Sequence, residues 1–308
     1  MWVVDVYNAL LGLCGLSIFF SLVSVAIILR MWKASPSSKE SPSFTLSLWI
    51  ALSDIPLRVS DMLSNPMTWN GTVGPTSSVY LRFSVWLTYF SSFWFLYLNV
   101  MIALDLQLVF FHRLPRQARV RRFYPWIGFA LAFVLAFWYL ILPAPRYVNG
   151  NMISFGEKYS TANRFNLVWT MLWFLVGIVY TVGVVAAVWI KIYISRRRLK
   201  HLETQYRHSD NLSSSVIRNA LIIIAYPVLM AIVFIPFVLA SGFQSLIPGK
   251  PFTLYWSIAT NFLYSSQGLF SFAILLFHPV MLAYYRRKDS HTFFLWSWLS
   301  RVLGTLTA

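Results

Sequence analysis

Hydrophobic and polar positions in this chain do not alternate; they are sorted into long blocks. Uncharged apolar stretches run Val6–Leu29, Phe83–Leu104, Tyr124–Leu142, Phe165–Ile190, Ala220–Phe243 and Phe252–Phe277, and a seventh, Ser43–Leu63, is interrupted by three ionisable residues. About 20 helical residues cross roughly 30 Å of hydrocarbon. The pattern therefore predicts an all-α integral membrane protein, a seven-transmembrane helix bundle over residues 1–288. Its expected spans are about 6–32, 43–63, 79–111, 124–142, 165–194, 219–243 and 252–285. Beyond them, Leu295, Trp298, Leu299, Val302, Leu303 and Leu306 recur at helical spacing. That period predicts an amphipathic interfacial helix within a cytoplasmic segment 289–308, with a disordered tail as the alternative.

Composition agrees. Mean hydropathy is +0.64 and 11% of residues are charged, against about 25% in soluble domains. The net charge of +16 would suggest nucleic acid if it were spread over a soluble surface. It is instead confined to alternate loops. With the N-terminus placed outside, eighteen Lys and Arg residues fall in inner segments against four (Arg146, Lys158, Arg164 and Lys250) outside. This positive-inside bias predicts an extracellular N-terminus and a cytoplasmic C-terminus. The charge then belongs with anionic membrane lipids, and no nucleic-acid partner is expected.

Only a few residues precede the first span, so that span is expected to serve as the targeting signal. An external ligand is expected to bind among the helices and short outer loops. Cys14 is the sole cysteine, which excludes an intramolecular disulfide and a Cys-rich metal site. Asn70-Gly71-Thr72 is a glycosylation sequon in an expected outer loop, making Asn70 a glycosylation candidate. The third inner loop begins Arg196-Arg197-Arg198 with Lys200, expected to prolong the fifth helix. Asn149-Gly150 marks a turn in the longest outer connection.

Ionisable groups at membrane depth are costly and usually have partners or purpose. Asp54, Arg58 and Asp61 share one helical face, and Asp54 can pair with Arg58 one turn on. Two readings stand side by side: a polar switch whose pairing changes between two states, or a static ion pair that fixes packing. Asn99 and Asp105 in the third span are further switch candidates, Asp105 being equally explicable as an interfacial carboxylate. Pro227 and Pro236 in the sixth span and Pro279 in the seventh remove helix hydrogen bonds and could serve as hinges. Prolines are also common in membrane helices generally. Trp86, Phe90, Phe93 and Tyr97 follow one face of the third span. With Gln267 they are ligand-binding candidates, against a reading in which the aromatics simply pack.

Catalytic and cofactor chemistry is not evident. No catalytic triad, phosphate-cradling loop or His/carboxylate metal cluster stands out, and the seventh span has no lysine for a retinal Schiff base. No enzyme activity and no cofactor are expected. Gly-interrupted helices in two matching halves, a transporter signature, are not apparent either.

Three short segments carry a resemblance. Leu52-Ser53-Asp54 with Arg58 resembles the second span of the cyclic-AMP-receptor-like receptors of slime moulds and fungi. The run from Asn99 through Ala103-Leu104-Asp105 to Phe110 is similar to the inner third span of the fungal glucose-receptor-like group. Ala225-Tyr226-Pro227, with Pro236 nine residues on, is similar to that group's sixth span. Departures from rhodopsin-like receptors are clear: Ala103-Leu104-Asp105-Leu106-Gln107 replaces Asp-Arg-Tyr, and His278-Pro279 replaces Asn-Pro. The resemblance implies a G-protein-coupled receptor of the plasma membrane that binds an extracellular small molecule and activates a heterotrimeric G protein. Arg113, Arg116, Arg119, Arg122, Arg196, Arg197, Arg198 and Lys200 are the expected G-protein contacts, their other role being topology and lipid contact. The alternative is a seven-helix transporter or channel, which a polar path joining Asp54, Asn99 and Asp105 would favour.

Overall fold

The structure, a computed structural model, describes residues 2–34, 42–69, 78–112, 122–141, 146–148, 151–153, 161–203, 223–240, 251–278 and 281. Asn70, Arg113, Arg116, Arg119, Pro279 and the segment 289–308 lie outside the described residues. The elements are α1 (Trp2–Ala34), α2 (Pro42–Trp69), α3 (Ser78–Phe110), α4 (Tyr124–Ile141), β1 (Arg146–Val148), β2 (Asn151–Ile153), α5 (Thr161–Glu203), α6 (Ile223–Ala240), α7 (Pro251–Ser265) and α8 (Gln267–Leu276). Among the described residues the architecture is thus helical, apart from one short antiparallel hairpin. Its pairing, Arg146↔Ile153 to Val148↔Asn151, surrounds the turn expected at Asn149-Gly150.

Five helices (α1, α3, α4, α5 and α6) are long and apolar enough to cross a membrane, and the chain is membrane-spanning. The other helices miss that standard for physical reasons. In α2, 28 residues long, Asp54, Arg58 and Asp61 interrupt the apolar face. α7 and α8 are 15 and 10 residues long, two pieces of one rod broken at Ser266. The expected extension of the fifth helix is present: α5 runs 43 residues and continues through Arg196–Lys200.

The outer surface is apolar, and the interior combines a large apolar and aromatic core with a smaller set of buried polar side chains. On α4, Trp126, Phe133, Val134, Phe137 and Trp138 are exposed, while Gly128, Ala132 and Ala136 are buried. These small residues recur every four positions and let α4 approach α3 closely, since lipid provides no hydrophobic force between helices. An added Cβ at Gly128 would meet Leu98 at 3.6 Å, ordinary contact. α3 lies at the centre, packed against α2, α4 and α5.

The aromatic face of α3 is absorbed by this packing. Trp86 stacks on Phe90 (5.3 Å between ring centroids), and Phe90 meets Phe129 and Phe133 of α4 edge-on. Phe93 packs on Phe174 of α5 at 4.9 Å, and Tyr97 is buried beside Phe93. Tyr89 stacks on Tyr139 of α4, whose hydroxyl hydrogen-bonds Thr170 of α5. Trp86, Phe90 and Phe93 therefore join α3 to α4 and α5 as core side chains.

Candidate functional site: a buried ion cluster at a broken helix

The middle of α2 carries the only guanidinium that is fully buried among the described residues, that of Arg58. All three of its nitrogens are engaged. Nε donates to Asp54 Oδ1 (3.2 Å), one turn earlier on the same helix. Nη1 donates to Asp61 Oδ2 (2.8 Å), and Nη2 donates to Gln267 Oε1 of α8 (3.4 Å). The guanidinium carbon also lies 4.2 Å from the ring centroid of Tyr264, a cation–π contact. Spacing explains the first two bonds: residues four before and three after Arg58 lie on its own face of the helix. Asp54 is fully enclosed, whereas the Asp61 side chain keeps 17% exposure at the edge of the cluster. Within α2, Pro56 lies between the paired residues and lacks the N–H that would bond the Leu52 carbonyl.

α1 completes the shell around Asp54. Ser17 and Ser21 both donate to Asp54 Oδ2, at 3.0 and 2.7 Å. They belong to a stripe, Cys14, Ser17, Ser21 and Ser24, that is buried along one face of an otherwise apolar helix. Cys14 Sγ contacts Ser265 Oγ at 3.6 Å. Asp54 has three donors on its two oxygens, which replace the solvation that burial removes.

The third wall is the break between α7 and α8. Ser266 has φ −85° and ψ 4°, the bridge region of backbone space. Its hydroxyl donates to Leu263 O at 2.9 Å, and its carbonyl accepts from both Leu269 and Phe270 N–H. Gly268 N–H leaves the helical pattern and donates across the bundle to Ser17 Oγ at 2.8 Å. Ser17 thus accepts a hydrogen bond from a backbone amide and donates one to Asp54. Irregular backbone at membrane depth is tolerated only where its polar groups are met by protein, and here α1 meets it. Gly268 is required for the approach: a Cβ there would stand 2.5 Å from Asp54 Oδ2. On α8, Gln267 Nε2 and Ser271 Oγ have no hydrogen-bond partner among the described residues.

Tyr264 links the cluster to the other helices. Its hydroxyl shares a 3.0 Å hydrogen bond with Ser92 of α3. Its ring stacks on Phe237 at 4.6 Å and meets Phe234 edge-on at 5.7 Å, both on α6. Phe234 in turn stacks on Phe95 of α3 and on Phe174 of α5. An aromatic chain therefore runs from Arg58 to the segment of α6 between Pro227 and Pro236.

The expected site residues separate into groups. Asp54, Arg58 and Gln267 come together, with Asp61 added. Asn99 does not join them: it is buried, and its Nδ2 donates back to Phe95 O within α3. Among the described residues the hydrogen bonds of Asp54 run to Ser17, Ser21 and Arg58, and that of Asn99 to Phe95 O, none joining one to the other. Pro227 and Pro236 both lie within a continuous α6. Arg122 is exposed beside α4, and Arg197 is exposed with its guanidinium carbon 4.8 Å from the Tyr193 ring centroid. Arg196, Arg198 and Lys200 lie on the same stretch of α5.

Sequence reasoning passed over Ser17, Ser21, Tyr264 and Gly268. The serines had a signal, a polar stripe at helical spacing; the glycine had none. It also passed over two polar ties between α3 and α5: Tyr180 donates to Gln107 Oε1 at 2.7 Å, and Lys191 Nζ donates to Phe110 O. Lys191 also lies 4.6 Å from the centroid of the Phe111 ring. A cation at the last carbonyls of a helix is favourable. Lys191→Met, which keeps the stem and loses the charge, is expected to lower thermal stability in detergent by about 1 kcal/mol. Exposed Lys33→Met should leave the melting curve in place, and equal effects would remove the tie from the account.

No protein-family model and no curated protein matches the chain.

Proposed function

We propose that this chain is a plasma-membrane receptor that senses an extracellular small molecule and activates a heterotrimeric G protein. In this reading α1 to α6 are six spans, the α7–α8 rod is the seventh, and the N-terminus is extracellular. The family resemblance in α2, α3 and α6 implies a member of the cyclic-AMP-receptor-like and fungal glucose-receptor-like group, and Asn70 would carry an external glycan. The observation that carries the reading is α5. Its apolar span Val168–Ile194 continues without a break through residue 203, projecting about 13 Å farther. A basic cluster is thereby mounted on a rod that is fastened to α3 by Tyr180–Gln107 and Lys191–Phe110. Such a rod can carry a rearrangement inside the membrane to a protein outside it. A ligand would act by its differential affinity for two arrangements of the bundle.

A conduit reading, transporter or channel, is favoured by one observation: the break at Ser266–Gly268 lies at the ion cluster, as broken helices do in transporters. Against it, Asp54 and Arg58 are engaged by protein donors and acceptors, and among the described residues their hydrogen bonds run to Ser17, Ser21, Asp61, Gln267 and each other, not to Asn99. The test is nucleotide exchange on purified heterotrimeric G proteins by the protein in nanodiscs. Exchange is expected, and expected to vanish when Arg196, Arg197 and Arg198 are all replaced by alanine. Exchange indifferent to that triple substitution would overturn the α5 surface. Ion flux through proteoliposomes that depends on Arg58, with no exchange, would replace the receptor by the conduit.

A further inference from the structure

The surface between α5 and α6 is cut by an apolar groove of about 490 Å³. Val182 and Val185 form one wall, Ala231 and Ile235 the other, and Pro227 and Pro236 mark its ends. No polar side chain lines it. The concavity has a local cause, because Ala231 is small and the valines are short. Pro236 lies nine positions after Pro227, about 13 Å along a helix axis. Val182, Ile235 and the neighbouring Ile232 are exposed, so the groove opens away from the bundle core.

Depth decides the occupant. Val182 and Val185 fall near the middle of the apolar span Val168–Ile194, and Ala231 falls near the middle of Ile223–Ala240. The groove therefore lies close to the bilayer midplane, about 15 Å from either headgroup layer. Water has no hydrogen-bonding partner there. An apolar cavity of about 150 Å³ already excludes water and takes up benzene, and this groove is larger and open on its side. A phospholipid headgroup cannot reach it, and a sterol held by its hydroxyl at the interface places its rigid rings at shallower depth. The distal part of a flexible hydrocarbon chain is available at that level in any bilayer.

We propose that the groove binds one acyl chain of a membrane glycerophospholipid. The attraction is not hydrophobic, since the chain leaves hydrocarbon for hydrocarbon. It is dispersion: an unfilled concavity leaves its wall atoms without partners, and one threaded chain restores them. The consequence is preferential occupancy over the rest of the lipid-facing surface. The buried side of α6 carries Phe234, which packs on Tyr264 beside Arg58, so the bound chain lies against the same helix that faces the ion cluster. The site rests on α5 and α6 alone and does not depend on the receptor reading.

The test uses the full chain in phosphatidylcholine nanodiscs doped with an analogue carrying a diazirine near the end of one acyl chain. After illumination, adducts are mapped by peptide mass spectrometry. Residues 182–185 and 227–236 are expected to be labelled several-fold more than the equally lipid-exposed α4 face around Phe133, Val134 and Phe137. Ala231→Trp, which fills the groove, should bring α5 and α6 down to the α4 level while leaving α4 labelling unchanged. If that variant does not fold, Val182→Phe takes its place. Labelling of the groove at no more than the α4 level in the unaltered chain would overturn the proposal, as would groove labelling undiminished in a folded filled variant.

Discussion

Arg58→Met is expected to destabilise the bundle by about 3–5 kcal/mol, the usual penalty for breaking a buried ion pair from one side. The geometry explains why the loss is one-sided. Methionine approximates the volume of the arginine stem, so packing changes little, but Asp54 and Asp61 lose their shared cation. Asp54, fully enclosed, is left with Ser17 and Ser21 as donors. Gln267 Oε1 loses its donor, and the Tyr264 ring loses its cation. Arg58→Lys should fall between, because an ammonium cannot present three nitrogens in a planar fork. The decisive comparison is Arg58→Met combined with Asp54→Asn and Asp61→Asn. Removing both carboxylates removes the unpaired charge, so thermal stability measured by fluorescence-detected size exclusion should largely return. If Arg58→Met alone melts with the unaltered protein, the cluster does not hold the bundle together. On the proposed receptor function, a neutral triple variant that regains stability but not nucleotide exchange would make the ions a switch, and one that regains both would make them a packing device.

Much of this was legible in the chain because hydrocarbon enforces simple rules. Apolar runs of about 20 residues have few ways to satisfy their backbone except as helices, so spans follow from composition. The i, i+4, i+7 spacing of Asp54, Arg58 and Asp61 requires a common face whatever the tertiary fold. The continuation of α5 through its arginines was equally local. What was not legible depends on which helix lies opposite. Gln267 was noticed for its polarity and assigned to an aromatic cavity, whereas it reaches Arg58, because the packing of α8 on α1 and α2 is a long-range fact. Trp86, Phe90 and Phe93 have the same periodicity whether they line a cavity or a helix interface, and only their neighbours Phe129, Phe133 and Phe174 decide. The serine stripe on α1 was readable in principle, since a run of buried hydroxyls at helical spacing needs an acceptor. The break at Ser266 was not, because neither serine nor glycine interrupts a membrane helix by itself. It needs Ser17 to receive the amide that the helix gives up.

That dependence makes Gly268→Ala the most discriminating single change. Its Cβ would stand 2.5 Å from Asp54 Oδ2 and from Ser17 Oγ, and 2.6 Å from the Ser17 backbone oxygen. A side chain could turn aside, but the α1 backbone cannot, so α8 has to move away from α1. Overpacking of this kind costs about 1–3 kcal/mol. The move also stretches the Gly268-to-Ser17 and Ser17-to-Asp54 hydrogen bonds, each worth about 1 kcal/mol. A loss of about 3–5 kcal/mol is expected, read as a lowered melting transition in the same detergent. Gly183→Ala on α5 is the control, because nothing lies within 4 Å of the Cβ it would add. Alanine favours a helix over glycine by about 1 kcal/mol, so this variant should be no less stable than the unaltered protein. Equal losses in the two would mean that the α7–α8 break is soft and the amide-to-serine contact incidental. Gly268→Ala and Arg58→Met act on one connected network and should therefore not be additive. Once the guanidinium is gone, Asp54 is no longer held from the α2 side and can yield to the new methyl group. The double variant is expected to lose clearly less stability than the two single losses combined, which a double-mutant cycle measures directly.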